Sequence, residues 1–222
     1  MQKTALITGA ARGIGLATAE IFQANGYHVA MLDRDAEALS AAAAQLPEAE
    51  PMLFDLALPE TAAQVAKQIE EKFGALAALV NNAGVADFGP IEDCDPAMWR
   101  KVMDTNLDGM FYLTQALTPQ LKAGGGSVVN IASTFRVAYG SSKAAVMPLN
   151  KPQAVELGEY GIRVNCVAPG PVRTKLAMAV HTQDIIDAYL DAIPLNRYGQ
   201  EIEIAEAIYF LCSQKHLLSP GR

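Results

Sequence analysis

The sequence is poor in the features that commit a chain to nucleic acid, to a bilayer, to a metal or to secretion. Its formal net charge is −7, the wrong sign for neutralising phosphates with clustered Lys and Arg. No apolar run approaches the roughly 20 residues that a membrane-spanning helix needs. The three cysteines, Cys94, Cys166 and Cys212, are odd in number and follow no ligand spacing, so no metal site is expected and a reducing compartment is implied. Each reads as a small buried hydrophobe. The opening Met-Gln-Lys-Thr passes at once into an apolar run, which leaves no room for a secretory leader at this end. No linker and no low-complexity stretch divides the chain. The expectation is a cytoplasmic protein with a single domain, 1–222, and no membrane or nucleic-acid partner.

What the chain does have is a regular alternation. Short runs, apolar on both faces, read as strands at 5–7, 27–32, 51–54, 77–80, 127–131 and 162–167. Helical apolar spacing falls between them: 16–22, 36–45, 61–73, a long helix at about 98–117 with Pro119 beyond, a helix from about Tyr139, and a last one at 203–212. Strands buried on both faces and separated by helices predict an α/β fold, a doubly wound parallel sheet of the Rossmann type. Each strand ends on a polar residue or glycine: Thr8, Asp33, Asp55, Asn81, Ser133, Pro169-Gly170. In an open parallel sheet those carboxyl ends line the ligand crevice.

The first of these ends is the most informative. Thr8-Gly9-Ala10-Ala11-Arg12-Gly13-Ile14-Gly15 joins a strand to a helix with three glycines spaced Gly-x-x-x-Gly-x-Gly. Glycine lets the chain turn tightly and approach a ligand, and the following helix aims its free N–H groups into the turn, which suits a pyrophosphate. Asp33 stands 18 residues after Gly15, where an acidic residue takes the ribose hydroxyls of a dinucleotide. Its carboxylate repels a 2′-phosphate and favours NAD over NADP. Arg12 and Arg34 argue the other way, since both can pair with a phosphate; Asp33 weighs more heavily.

A second constellation is Tyr139-Gly140-Ser141-Ser142-Lys143. Tyr and Lys at i and i+4 share a helix face. A tyrosine must be shifted by about 3 units, roughly 4 kcal/mol, to act as a base at neutral pH. An ammonium roughly 5 Å away supplies about 3 kcal/mol at an effective dielectric near 20. The pair is suited to moving a proton to or from an alcohol oxygen.

Together these residues resemble the classical short-chain dehydrogenases/reductases, over nearly the whole chain from Thr4 to about Gln214. The glycine turn, Asp55, Asn81-Asn82-Ala83-Gly84, Asn106, Ser133, Tyr139 with Lys143, and Pro169-Gly170 with Thr174 stand in the family's order. The resemblance implies that Tyr139 is the acid/base, that Lys143 lowers its pKa and holds the nicotinamide ribose, that Ser133 bonds the substrate oxygen, and that Asn106 holds a water in a proton relay. It implies a cofactor site of Gly9, Arg12, Gly13, Ile14, Gly15, Asp33, Asp55, Leu56, Asn81, Ala83, Gly84, Tyr139, Lys143, Pro169, Gly170, Val172 and Thr174. It implies a homo-oligomer, a tetramer or dimer. The expected activity is an NAD-dependent oxidoreductase interconverting a secondary alcohol and a ketone. The competing reading is a catalytically weak NAD-binding scaffold; a sugar-nucleotide epimerase, which also uses Tyr-x-x-x-Lys, calls for a larger C-terminal domain.

The chain departs from that pattern in three places. Ser133 and Tyr139 are only six residues apart, where the family usually has a longer segment, and Thr134 is the substitute if Ser133 does not reach. Pro148 and Pro152 fall inside a helix, where each costs about 3 kcal/mol. The family's seventh strand has no counterpart, so the last edge strand is missing and the sixth is left as an edge. Residues 174–197 read as an apolar lid, with Phe88, Phe135, Val137 and Met178 lining an apolar pocket, and His181 either touching substrate or lying in solvent.

Overall fold

The computed structural model describes residues 2–86, 91–133, 137–179 and 181–213. In chain order the elements are β1 (Lys3–Thr8), α1 (Gly13–Ala24), β2 (Tyr27–Asp33), α2 (Ala36–Ala43), β3 (Ala49–Leu53), α3 (Thr61–Phe73), β4 (Ala78–Asn81), α4 (Pro96–Met103), α5 (Gly109–Ala116), α6 (Thr118–Gly124), β5 (Ser127–Ile131), α7 (Val137–Gly158), β6 (Arg163–Val167), α8 (Lys175–Met178), α9 (Gln183–Ala192) and α10 (Glu201–Cys212). The strands form one parallel sheet in the order β3-β2-β1-β4-β5-β6. The order reverses between β1 and β4, and it is there that an open α/β sheet leaves its crevice.

Successive strand residues face opposite sides, and the core divides accordingly. Ala5 and Ile7 of β1, with Val29, Met31, Val80 and Val129, pack against Phe22, Leu39 and Ile208 of α1, α2 and α10. Leu6, with Ala30, Leu32, Leu79, Val128 and Val164, packs against Val65, Ile69, Leu113, Leu121 and Leu157 of α3, α5, α6 and α7. Two helical layers cover both faces, as the continuous apolar strands require.

Several boundaries differ from the sequence reading, each for a local reason. The predicted helix at 98–117 is α4 and α5 joined by a π-helical turn, Asp104–Asp108. Asp95 caps its start, accepting from Met98 N at 2.7 Å, with Pro96 in the first turn. Pro119 does not stop the chain; it lies in the first turn of α6, where its missing N–H has no helical partner to lose. β3 begins at Ala49 because it follows the register of β2. α7 begins two residues before Tyr139 and runs through Pro148 and Pro152. Among the described residues β6 is a sheet edge, as expected, and Arg163 at its start donates to the Cys212 carbonyl at 3.0 Å, fastening the end of α10.

The glycine turn is steric in origin. Gly9 has φ +64, and a Cβ there would stand 2.9 Å from Ala83 Cα. A Cβ on Gly15 would stand 2.0 Å from the Gly9 carbonyl oxygen, so only glycine lets α1 back onto the end of β1. Gly15→Ala is expected to destabilise the fold by about 3 kcal/mol, the upper range of core overpacking. Gly158→Ala, where an added Cβ meets nothing, is expected to change stability by less than about 1 kcal/mol. Denaturant unfolding of the two variants measures the contrast.

Candidate active site

A cleft of about 600 Å³ runs along the carboxyl ends of the strands, from Asp33, Arg34 and Asp55 past the glycine turn and Gly84 to Tyr139 and Lys143, with Thr174, Lys175, Leu176 and Ala179 on its lid side. The six strand ends meet at one edge because all six strands are parallel.

The turn after β1 is wired to the turn after β4. Thr8 Oγ1 donates to the Val80 carbonyl at 3.2 Å and accepts from Asn82 N and Ala83 N at 3.0 and 2.9 Å. Asn82 Nδ2 donates back to the Thr8 and Gly9 carbonyls at 3.0 and 3.3 Å. Gly9, Arg12, Gly13, Ile14, Ala83 and Gly84 line the cleft as a result. No side chain caps the first turn of α1, so its N–H groups remain available to an anion. Gly15 sits behind Gly9 rather than on the cleft wall.

At the far end, Asp33 Oδ2 accepts from Ala11 N at 3.1 Å and Oδ1 from Asp35 N at 3.1 Å. Both arginines weighed against it are engaged. Arg12 is ion-paired with Asp35, and Arg34 stands 3.7 Å from Asp55. The Ala38 N–H that its carboxylate accepts, and after it the Arg12 guanidinium, hold Asp35 below the usual carboxylate range. Asp55 and Leu56 face the cleft.

At the near end, the π turn presents Asn106 inward. A π turn inserts one residue into the helical ladder and is frequent at functional sites. Asn106 Oδ1 accepts from Val85 N at 2.8 Å, while Nδ2 donates to the Val85 carbonyl at 2.9 Å and to Ser142 Oγ at 3.1 Å. Ser142 Oγ donates to the Tyr139 carbonyl at 2.7 Å. Asn106 is therefore buried, and it ties the loop after β4 to the start of α7. Gly84 sits beside both groups: a Cβ there would be 3.3 Å from Asn106 Oδ1 and 3.4 Å from Lys143 Nζ.

Ser133 and Tyr139 lie close enough, despite the six-residue separation, for the serine side chain to act on the phenol. Burial pushes the Tyr139 phenol above its ordinary value, and Ser133 opposes it. Lys143 is 3% exposed and its ammonium donates to the Ile131 carbonyl at 2.9 Å; burial brings its own pKa down from 10.5 to about 8. Desolvation, which favours the neutral form of each group, is the largest influence on both.

Other expected positions fall away from the cleft. Asn81 is the last residue of β4 and turns into the core, donating to Thr114 Oγ1 at 3.0 Å and Asn130 Oδ1 at 2.8 Å; Asn82, which leaves the strand, takes the cleft side. Pro169, Gly170 and Val172 are not among the lining residues; Val172 bridges to Gly199, with Arg173 N donating to the Gly199 carbonyl at 2.9 Å. That bridge carries the lid, where Thr174 faces the cleft and caps α8 through Ala177 N. Of the expected apolar pocket, Phe88, Phe135 and the Val137 side chain lie outside the described residues, as does Thr134, and Leu176 rather than Met178 lines the cleft. His181 is off the cleft and only half-buried: its Nδ1 meets the Tyr198 hydroxyl at 2.9 Å, and its ring packs by Tyr189. Reasoning from sequence also missed Asn82 and Lys101 on the cleft, and Ser142 as the partner of Asn106. Asn82 was legible in principle, since strand alternation sends one of two adjacent asparagines to each side.

Among the described residues, no group of three or more His, Cys, Asp or Glu could hold a metal ion, and no helix is long and apolar enough to cross a membrane.

The family profile described as enoyl-(acyl carrier protein) reductase matches residues 9–219. The chain belongs to the short-chain dehydrogenase/reductase family. It is 35% identical to a galactitol 2-dehydrogenase (L-tagatose-forming) of Cereibacter sphaeroides, over 94% of this chain and 87% of the relative. It is 37% identical to a D-threitol dehydrogenase of Mycolicibacterium smegmatis, over 99% and 89%, and 34% identical to a 3-oxoacyl-[acyl-carrier-protein] reductase of Staphylococcus epidermidis, over 97% and 93%. The solved glucose/ribitol dehydrogenase-type member from Brucella melitensis superposes with a TM-score of 0.90 at 34% identity, over 96% of this chain and 90% of that one. The family is one of oxidoreductases that use NAD or NADP.

The buried Lys143 makes a testable statement about stability. The unfolded chain holds its proton up to the ordinary 10.5 and the folded chain only up to about 8, so between those values the unfolded state binds more protons and stability rises with pH. Relative to Lys143→Met, the wild type is expected to gain about 3 kcal/mol from pH 8 to 10.5, read from urea unfolding across that range.

Proposed function

We propose that the protein is an NAD-dependent oxidoreductase that interconverts a secondary alcohol and a ketone, with Tyr139 as the acid/base. The observation that carries this reading is that Tyr139 and the buried Lys143 both line the end of the cleft that begins at the glycine turn, with Ser133 close to the phenol. The relatives named for galactitol and D-threitol support an alcohol substrate.

The residues fit a dinucleotide: Gly9 and Gly84 keep clear spaces that a Cβ would fill, and the uncapped start of α1 suits a pyrophosphate. Gly9, Gly13, Ile14, Ala83, Gly84 and Thr174 would hold it, with Asp33 at the adenosine ribose and Asp55 and Leu56 at the adenine. When bound, the nicotinamide exchanges a hydride with the substrate carbon. Asp33 supports NAD, because its carboxylate opposes a 2′-phosphate and Arg12 and Arg34 already face carboxylates. Ser133 holds the substrate oxygen, and Tyr139 Oη passes a proton to it in ketone reduction or takes one in alcohol oxidation. With the phenol held above its ordinary value, the neutral acid predominates at neutral pH, so proton donation is the ready direction. Lys143 orients the ribose, and Asn106 holds the chain around Val85 from which a relaying water is reached. The lid at 174–197 closes on the substrate. The odd set of three cysteines fits a cytoplasmic protein. The exposed Phe111, Tyr112, Met147 and Val155 on α5 and α7 fit a homo-oligomer, a tetramer or dimer.

Tyr139→Phe is expected to lower kcat on the order of 10³-fold with galactitol or D-threitol and to leave NADH affinity within about twofold, measured by steady-state assay and fluorescence titration. NADH binding without turnover by the wild type on a panel of polyols and their ketones would overturn the reading in favour of a scaffold. Asp33→Ser is expected to shift the kcat/KM ratio of NADP to NAD upward by at least about tenfold, by removing a like charge from the phosphate position.

A further inference from the structure

α7 carries Tyr139 and Lys143 at one end and is interrupted by two prolines farther along. Pro148 and Pro152 each remove a main-chain donor, so the Ala144 and Pro148 carbonyls lose their helical partners. The two ring-bearing positions are four apart, share one face, and are exposed. The helix nevertheless runs unbroken from Val137 to Gly158, with one of its own main-chain constraints missing at each proline.

The opposite face carries something unusual for a core. Asn130 of β5 is fully buried, and both of its amide hydrogens go to α7: Nδ2 donates to Asn150 Oδ1 at 3.2 Å and to Gln153 Oε1 at 3.2 Å. Its Oδ1 accepts from Asn81 Nδ2 at 2.8 Å, and Asn81 Nδ2 also reaches Thr114 Oγ1 on α5 at 3.0 Å. Asn150 Nδ2 donates to the Val164 carbonyl of β6 at 3.4 Å. Asn150 and Gln153 are 2% and 8% exposed. An apolar face would bury as much surface at less desolvation cost, and it would tolerate sliding. Directional bonds at two positions one turn apart fix both the height and the rotation of the helix against β5.

The residue after Asn130 is Ile131, whose carbonyl takes the Lys143 ammonium. The amide contact and the lysine contact are therefore made by one helix to two adjacent residues of one strand. We propose that Asn150 and Gln153, through Asn130, are positioning residues: they set the register of the proline-interrupted helix on β5 and thereby place Lys143 on the Ile131 carbonyl and Tyr139 beside Ser133. The inference rests on the proposed roles of Tyr139 and Lys143 for its effect on rate, but its structural half stands apart from them.

The test removes the acceptor without removing the bulk. Gln153→Met is expected to lower kcat by about tenfold, the scale of a sub-ångström misplacement, with NADH affinity within about twofold. The Lys143 titration, followed by NMR of ¹³C-labelled lysine, is expected to rise from about 8 toward its ordinary value as water reaches the amine. Gln153→Glu, which keeps an acceptor, is expected to stay near wild type in both. Replacing Pro148 and Pro152 together by alanine in the Gln153→Met background restores the main-chain ladder and is expected to return kcat and the lysine titration to near wild-type values. Should Gln153→Met not fold, Gln153→Asn, which shortens the reach by one methylene, carries the same expectations. An unmoved lysine titration in the folded variant overturns the proposal, as does a loss of activity that the proline replacements fail to rescue. If the lysine titration moves and is rescued while Tyr139→Phe remains active, the helix register is as proposed and the acid/base assignment is what fails.

Discussion

The hydroxyl of Thr8 holds the site together. It bonds at once to the strand beside it and to two backbone amides beyond the next strand's end, and Asn82 closes the loop by donating back. β1 and β4 are neighbours whose connections leave in opposite directions, so their ends diverge and open a crevice. Left to themselves, two such ends would present unpaired polar groups at variable spacing. The reciprocal bonds make them one rigid floor, on which Gly9, Ala83 and Gly84 can bring bare backbone to the surface.

At the other end of the cleft, burial is the dominant influence on both titratable groups. Lys143 and Tyr139 lie close in sequence and on one helix face, and the simplest electrostatic reading has the ammonium ionise the phenol. The protein instead encloses both, and each moves toward its neutral form.

The fold was legible in the sequence because periodicity, apolar runs and glycine punctuation all reported on the same layered sheet. Helix α3 and strand β5 fell where their patterns put them, since Gly74 ends one and Gly124–Gly126 precedes the other. The π turn was not legible: an inserted residue leaves an apolar pattern that still passes for one helix, and the choice is made by Asn106 meeting Val85. The site was partly legible. Residues that act through backbone position, such as Gly9 and Gly15, announced themselves by type. Which of Asn81 and Asn82 faces the cleft depended on where β4 stops, one residue later than its apolar run suggests. The balance between Lys143 and Tyr139 depended on solvent exposure, which residue spacing does not encode.

The π turn at Asp104–Asp108 also constrains how this chain can change over time. A π turn takes up one extra residue within its own turn, so excising that position would leave a regular helix with the residues after it facing as they do now. Leu113, which is fully buried among α3 and the sheet, would keep its place in the core, and what would be lost is the inward presentation of Asn106 to Val85. Packing thus tolerates a change of length at this one turn, whereas a deletion in the regular helix on either side of it would rotate the remainder by roughly 100°.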